Sequence, residues 1–336
     1  MAGSETSSNN VFERLLAERD VLVADGAMGT TLFSMGLEGG GCPELLNVDH
    51  PDLIEKVHRR FIDAGADIIL TNTFGGTRRR LKLHKLDDRV AELNARAVEI
   101  ARTAASQADR PVVVAASIGP TGDLFQPLGP LSHDEGVDAF NEQMAAVVDA
   151  GADVIWIETL SSFEELDAAM EAAARFGVPV STTMSFDTNG RTMMGVTATQ
   201  LGEWWQRQEH RPVSVGANCG IGPGDGVAAV FDISEIAPDV IPVTKANCGL
   251  PFYETDRLVY PVTPDEMGEY VELAVRSGAR IVGTCCGSTP EHTAAIRHAL
   301  DEGIAGGRPR RSEIEQRLDA HAPARPPVRR SGRRRG

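Results

Sequence analysis

The sequence has 336 residues, 42% of them hydrophobic, and a formal charge of −15. That supports one large apolar core, and the longest apolar runs are strand-sized, which excludes a membrane-spanning helix. The charge is uneven: residues 308–336 carry ten Arg against three acidic residues, leaving about −22 (−15 minus 7) on the rest, and so acidic a body argues against a nucleic-acid-binding domain.

The opening MAGSETSSNN, residues 1–10, is polar and lacks an apolar h-region, so it reads as a disordered lead-in and not as a secretory signal. A cytoplasmic setting follows as an expectation, in which the five cysteines stay reduced and serve metal binding or catalysis in preference to disulfides. Short apolar, β-branched runs then appear at 21–24, 67–71, 111–117, 153–157, 179–186, 213–217, 240–245 and 280–284, which suits parallel strands buried on both faces. Between them the spacing predicts helices over 51–64, 87–108, 134–150, 163–176, 224–236, 265–277 and 290–300. Several open on start signals: Asp49 and Pro51, Thr263 and Pro264, Thr289 and Pro290.

DAGAD stands at 63–67 and at 149–153, each before an apolar run, and RSGAR at 276–280 has the same form. In each, a glycine ends a helix and a charged residue leads into a strand. Eight strand–helix alternations predict an α/β protein, a single (β/α)8 TIM barrel over 11–305. A doubly wound open sheet is the alternative, and the count of eight decides against it. Residues 306–336 read as a mostly disordered Arg/Pro-rich extension, a solvated tail with weak attraction to anionic surfaces as its alternative role.

Barrels of this kind build their sites at the C-terminal ends of the strands. Asp25 and Gly26 follow the first strand, Asn72, Thr73 and Phe74 the second, and Glu158 ends the fourth. Asn218 and Cys219 follow the sixth, Lys245 to Cys248 close the seventh, and Cys285 and Cys286 follow the eighth. From chemistry alone, three thiolates would hold Zn²⁺ and leave a fourth position for water or substrate. The same cysteines would equally serve as small buried side chains at strand ends. DGAMGT at 25–30 fits neither GxGxxG nor the Walker pattern. The Gly/Pro-rich loop 119–130 reads as a substrate lid, and Trp204 and Trp205 as packing residues or a homo-oligomer contact.

DGAMGT (25–30), GADIILTNTFGG (65–76), GANCG (216–220) and GTCCG (283–287), in this order, resemble the zinc-dependent homocysteine S-methyltransferase family. IGPTGD (118–123), SFDTNGRTMMG (185–195) and CGLP (248–251) are similar to the homocysteine module of cobalamin-dependent methionine synthase. VADGAMGTTLF (23–33) and TNTFGGTRRRLKLH (71–84) resemble single-domain bacterial betaine–homocysteine methyltransferases more closely still. The resemblance implies that Cys219, Cys285 and Cys286 ligate Zn²⁺, which deprotonates the homocysteine thiol for in-line attack on a methyl group. It implies that Asp25 and Glu158 receive the homocysteine ammonium, with Gly26, Thr73, Phe74 and Asn218 completing the substrate-contacting set, Asn218 either contacting the amino acid or orienting the loop that carries Cys219. Cys42 and Cys248 fall outside the ligand set.

The methyl donor is less legible. Animal-type betaine enzymes carry tyrosines where this chain has Gly75 and Thr159, so a cation cage would have to come from Phe74, Phe125 or Phe252. No folate- or corrinoid-binding module is expected in the residues after the barrel, so that route is expected to need a partner corrinoid protein. Betaine or a related methylated onium compound is therefore the expected donor, with partner-borne methylcobalamin or S-methylmethionine as alternatives. A non-catalytic zinc-containing barrel is the reading from another class, disfavoured because structural zinc sites are closed by a fourth ligand.

Overall fold

The apolar runs become the strands β1 (Leu22–Ala24), β2 (Ile68–Leu70), β3 (Val113–Ile118), β4 (Val154–Leu160), β5 (Val180–Met184), β6 (Ser214–Cys219), β7 (Ile241–Ala246) and β10 (Ile281–Thr284). All are parallel and close in the order β1-β10-β7-β6-β5-β4-β3-β2, so the expected barrel is what forms and the open sheet is ruled out. The computed structural model describes residues 10–37, 40–187, 189–255 and 257–318.

Helices bury one stripe each on this barrel. In Pro51–Asp63 the buried side chains are Ile54, Val57, His58, Phe61 and Ile62, spaced by three and four residues, the period of one helical face. The repeated DAGAD-type joint has one geometry in all three copies. Gly65, Gly151 and Gly278 have φ of +102°, +95° and +113°, a region that side chains with a Cβ avoid. The next amide bonds back into the preceding helix: Ala66 N to Phe61 O at 3.0 Å, Ala152 N to Val147 O at 3.1 Å, Ala279 N to Ala274 O at 3.0 Å. The charged residue after each joint then reaches backbone next door. Asp67 accepts from Val23 N at 2.9 Å, Asp153 from Val114 N at 2.8 Å, and Arg280 donates to Leu16 O at 2.8 Å.

The barrel interior is filled by inward side chains including Leu22, Ile68, Val113, Val154, Trp156, Val243 and Ile281. Its N-terminal end is plugged by a helix absent from the expected set, Val11–Glu18, which inserts Phe12, Leu15 and Leu16. Asn10 caps that helix, accepting from Phe12 N at 2.9 Å, and ties it to Asp153 O at 2.7 Å. The antiparallel hairpin β8 (Phe252–Glu254) and β9 (Arg257–Val259) after β7 is also new. Its two runs of three residues are shorter than any periodicity window resolves.

The stretch from 306 on, expected to be mostly disordered, contains a helix, Arg311–Leu318. Ile314 and Leu318 are buried against the outer ring, Arg311 pairs with Asp232 at 2.6 Å, and Arg317 with Glu272 at 2.8 Å. Basic residues there are held by the acidic body. The remainder of that expectation, 319–336, and the lead-in through residue 9 lie outside the described residues. Among the described residues no helix is long and apolar enough to cross a membrane.

Candidate active site at the barrel mouth

Strand register brings the cysteines together. Cys219 of β6 and Thr284 of β10 both pair with Ala246 of β7, so Cys285 lies one residue past Ala246, and its amide donates to Ala246 O at 2.7 Å. Cys219 Sγ is 3.0 Å from Cys285 Sγ, and all three sulfurs of Cys219, Cys285 and Cys286 lie within 4.8 Å of one another. Sulfurs sharing one Zn²⁺ at tetrahedral geometry are about 3.8 Å apart, so the donor set and its spacing fit that ion. Hydrogen bonds from Cys219 and Cys285 lower the Cys286 thiol, while those to Cys285 and Cys286 raise Cys219.

Asn218 holds this arrangement and is fully engaged in doing so. Its Oδ1 accepts from Thr159 N at 2.8 Å and Thr183 Oγ1 at 2.6 Å; its Nδ2 donates to Thr159 Oγ1 at 2.7 Å and Cys219 Sγ at 3.3 Å. Thr159 and Cys219 have φ of +66° and +58°, a conformation costing about 1–3 kcal/mol per residue that persists only where surroundings impose it. Asn247 plays the matching part between the two cysteine loops. It accepts from Cys286 N at 2.9 Å and donates to Gly220 O at 2.7 Å.

In the same cavity as the thiols, Asp25 and Glu158 are both buried, and Lys245 is charged against both. Lys245 Nζ is 3.6 Å from Asp25 Oδ1 and 5.8 Å from the centre of the Trp156 ring beneath it. Burial raises Asp25 to about 7, against the pull of Lys245 and the Leu70 amide, which bonds its Oδ2 at 2.9 Å. Burial also raises Glu158, partly offset by Lys245 and by the 2.5 Å hydrogen bond from Ser117 Oγ. For Lys245 burial favours the neutral amine, but the charges of Asp25 and Glu158 outweigh it and its pKa is raised. With all three ionised this trio carries one net negative charge.

Asp25, Gly26, Phe74, Glu158, Cys219, Cys285 and Cys286 line one cavity of about 430 Å³. Gly26 is there because the backbone passes too close for a side chain: a Cβ would sit 2.1 Å from Thr284 Oγ1 and 2.4 Å from Ser288 Oγ. Two expected contact residues are not in the lining. Asn218 supports it from behind, and Thr73 is buried at the base of its loop, donating to Ser117 O at 2.7 Å. Lys245, Ser117, Arg80 and His84 do line it, though sequence reasoning assigned them no role. Lys245 was visible as a lone cation inside an apolar strand, which is the signal that could have marked it.

Cys42 and Cys248 stand apart from the thiol group. Cys248 is wholly buried and pushed up to about 12 by burial; Cys42 donates to Glu44 Oε2 at 3.3 Å. Of the aromatic residues considered for a cation cage, only Phe74 lines the cavity, where Phe33 joins it. Phe125 is buried in the layer between helices and strands, and Phe252 is on the exposed hairpin. Trp204 and Trp205 are packing residues, donating to Asp167 Oδ1 at 2.8 Å and Pro212 O at 3.0 Å. The loop 119–130 does not line the cavity; its Thr121 is tied to Glu165 at 2.8 Å. The exposed large apolar side chains, Phe33, Leu83, Leu128, Met193, Tyr253 and Leu258 among them, all lie in the connections that leave the C-terminal ends of barrel strands, at this same end of the barrel.

Comparisons with known proteins agree with this geometry. The chain is 33% identical over 315 residues to methionine synthase of Mycobacterium leprae (strain TN), covering 88% of this chain and 25% of that protein. It is 34% identical over 306 residues to methionine synthase of Mycobacterium tuberculosis, covering 85% and 25%. The chain therefore spans about a quarter of the length of these curated relatives. Among solved structures, the metallated form of the homocysteine methyltransferase MmuM from Escherichia coli superposes with a TM-score of 0.72 at 25% identity, over 86% of this chain and 99% of that one. A methyltransferase from Methanosarcina mazei shares the fold, with a TM-score of 0.57 at 13% identity over 89% of this chain and all of that one. A family model described as homocysteine S-methyltransferase matches residues 22–300, and the chain belongs to that family.

Proposed function

We propose that the chain transfers a methyl group to the sulfur of homocysteine, giving methionine, with Zn²⁺ held by Cys219, Cys285 and Cys286. The observation that carries this reading is the convergence of three thiols, within 4.8 Å, on a cavity that the buried carboxylates Asp25 and Glu158 also line. Zinc, when bound, supplies the Lewis acidity that lets a thiol lose its proton near neutral pH. The protein's residues do the rest. Asp25, Glu158 and Lys245 leave one negative charge that the homocysteine ammonium neutralises, which fixes the amino acid while its sulfur points at the thiols. Asn218 and Asn247 hold the two cysteine loops at their spacing. The S–CH₃ bond forms as the donor's N–CH₃ or S–CH₃ bond breaks, and the electron pair of that bond stays with the departing amine or sulfide. No proton moves in that step, so alignment is the main requirement.

The donor in this reading is betaine or a related methylated onium compound, supported by the cavity's apolar wall of Met28, Phe33, Leu70 and Phe74. One observation favours a second donor, a corrinoid borne by a partner protein: the exposed large apolar side chains lie in connections at the cavity's end of the barrel. Metal analysis of the purified protein beside Cys286→Ala tests the ligand set; full occupancy in the variant would sink it. Methionine formation from homocysteine is then assayed with betaine, dimethylsulfoniopropionate, S-methylmethionine and methylcobalamin. Turnover with betaine or dimethylsulfoniopropionate supports the onium reading; turnover with methylcobalamin alone replaces it.

A further inference from the structure

Three consecutive arginines follow β2, in the short helix Arg78–Leu81, and they have different fates. Arg78 is bound by Glu142, Nε to Oε2 at 2.8 Å, and Arg79 by Asp123. Arg80 is half-buried, lines the cavity of the three thiols, and has no side-chain hydrogen bond or ion pair among the described residues. It lies under the turn after β3: a Cβ built on Gly122 would be 3.1 Å from Arg80 Cδ and 3.2 Å from its Nη1. A half-buried guanidinium without a carboxylate partner offers its N–H donors to one.

The rest of the cavity gives that site a direction. The thiols stand on the wall formed by β6 and β10, whereas Arg80 comes from the wall formed by β2 and β3. Lys245, the other fixed cation of the lining, is already matched by Asp25 and Glu158. Glu44 lines the same wall as Arg80 but turns its oxygens elsewhere, to Gly75 N at 2.6 Å and Cys42 Sγ at 3.3 Å. Apolar Met28, Phe33 and Phe74 also line the cavity. The space is thus negative toward the thiols, apolar in its lining, and positive at Arg80.

We propose that Arg80 is the donor-specificity residue: its guanidinium receives the carboxylate of a zwitterionic methylated onium donor and so turns the onium methyl toward the thiols. This rests on the onium-donor reading above. A donor with its cation at one end and its carboxylate at the other matches both poles in a single orientation. The carboxylate is a spectator in the transfer, since the C–N or C–S bond breaks at the onium centre and the electron pair leaves with the amine or sulfide.

The test compares betaine with tetramethylammonium, which has the same kind of methyl group and no carboxylate, on zinc-loaded wild type, Arg80→Met and Arg80→Lys. The ratio of kcat/KM for betaine to that for tetramethylammonium is expected to fall roughly ten- to a hundred-fold in Arg80→Met, the scale of one charge-assisted hydrogen-bonding pair, with part recovered in Arg80→Lys. Calorimetry of betaine binding to the homocysteine-loaded protein should show the same loss, while homocysteine KM moves less than two-fold. An unchanged ratio in a variant that melts like wild type overturns the role of Arg80 and leaves betaine as donor. A homocysteine KM that rises instead assigns Arg80 to the acceptor and overturns the proposal. Wild type that uses no onium donor at all overturns the donor reading itself, and Arg80's role with it.

Discussion

Asn218 donates to the sulfur of Cys219 at 3.3 Å while its other contacts pin Thr159, so one carboxamide couples the ends of β4 and β6. It acts as a support for the ligand it precedes in the chain. Asn218→Leu removes all four hydrogen bonds and frees two left-handed residues to relax. Zinc affinity is expected to drop roughly 10- to 100-fold, the usual effect of losing a partner behind a metal ligand, while homocysteine KM changes less. A chelator competition titration measures it; an unchanged zinc affinity would show that Cys219 is positioned by backbone alone.

This coupling also marks where sequence reasoning reached and where it stopped. The barrel was legible because its strands are continuous apolar runs and its joints repeat as DAGAD, DAGAD and RSGAR. The cysteines were legible because residues at strand ends share one rim in a closed barrel, and the resemblance of GANCG and GTCCG to the family's motifs separated Cys219, Cys285 and Cys286 from Cys248 on that rim. Asn218 was visible as a rim residue that either orients the Cys219 loop or contacts the amino acid, but its partners were not, since Thr159 and Thr183 are 59 and 35 positions away in sequence and only the register across β4, β5 and β6 unites them. Arg80 was hidden for a related reason. In a run of three arginines, nothing local tells which one the carboxylates of distant Glu142 and Asp123 leave free.

Asp25 makes recognition of the amino-acid ammonium depend on pH. Its folded pKa of about 7 lies above the ordinary 3.8, so the carboxylate that attracts the ammonium is ionised only above neutrality. Methionine, the proposed product, has the same ammonium and no thiol, which separates this group from sulfur ionisation. Its affinity should tighten as pH rises through about 7, and Asp25→Asn should abolish that step. The linked stability runs the other way: between about 4 and 7 the folded chain holds a proton that the unfolded chain has released, so this group's contribution falls as pH rises. Titration calorimetry from pH 6 to 8 decides the binding claim, and parallel profiles for wild type and variant would refute it.

His58 gives acid sensitivity of the opposite sign. It is wholly buried on the inner face of Pro51–Asp63, neither ring nitrogen has a hydrogen-bond partner among the described residues, and burial lowers it from 6.5 to about 4. The folded state therefore binds fewer protons than the unfolded state between those values. Stability from this site is intact above about 6.5 and is lost as pH falls toward 4, by up to about 3 kcal/mol. Urea unfolding at pH 7, 5.5 and 4.5 should show that loss in wild type and a shallower one in His58→Leu. The leucine variant should also equal or exceed wild type at pH 7, because it leaves no buried polar atom unpaired. Parallel slopes for the two proteins would contradict the assignment.

At the opposite end of the barrel, Asp67 separates stability from chemistry. Its side chain is 1% exposed, bonds the Val23 amide at 2.9 Å, and pairs with Arg19 and Arg297, with Arg110 at 3.8 Å. These arginines come from the plug helix's end, the segment before β3, and the last barrel helix, so one carboxylate gathers three parts of the chain beneath the sheet. Asp67→Asn keeps the shape and removes the buried charge that all three arginines share, leaving half-buried cations to repel one another. Breaking such a buried ion cluster costs about 3–5 kcal/mol. The N-terminal face of a barrel carries fold stability and not catalysis. Denaturant midpoints should therefore fall sharply, while zinc content and kcat of the protein that remains folded stay near wild type. A large loss of kcat with an unshifted midpoint would mean that the two ends of the barrel are coupled through its interior layer around Trp156.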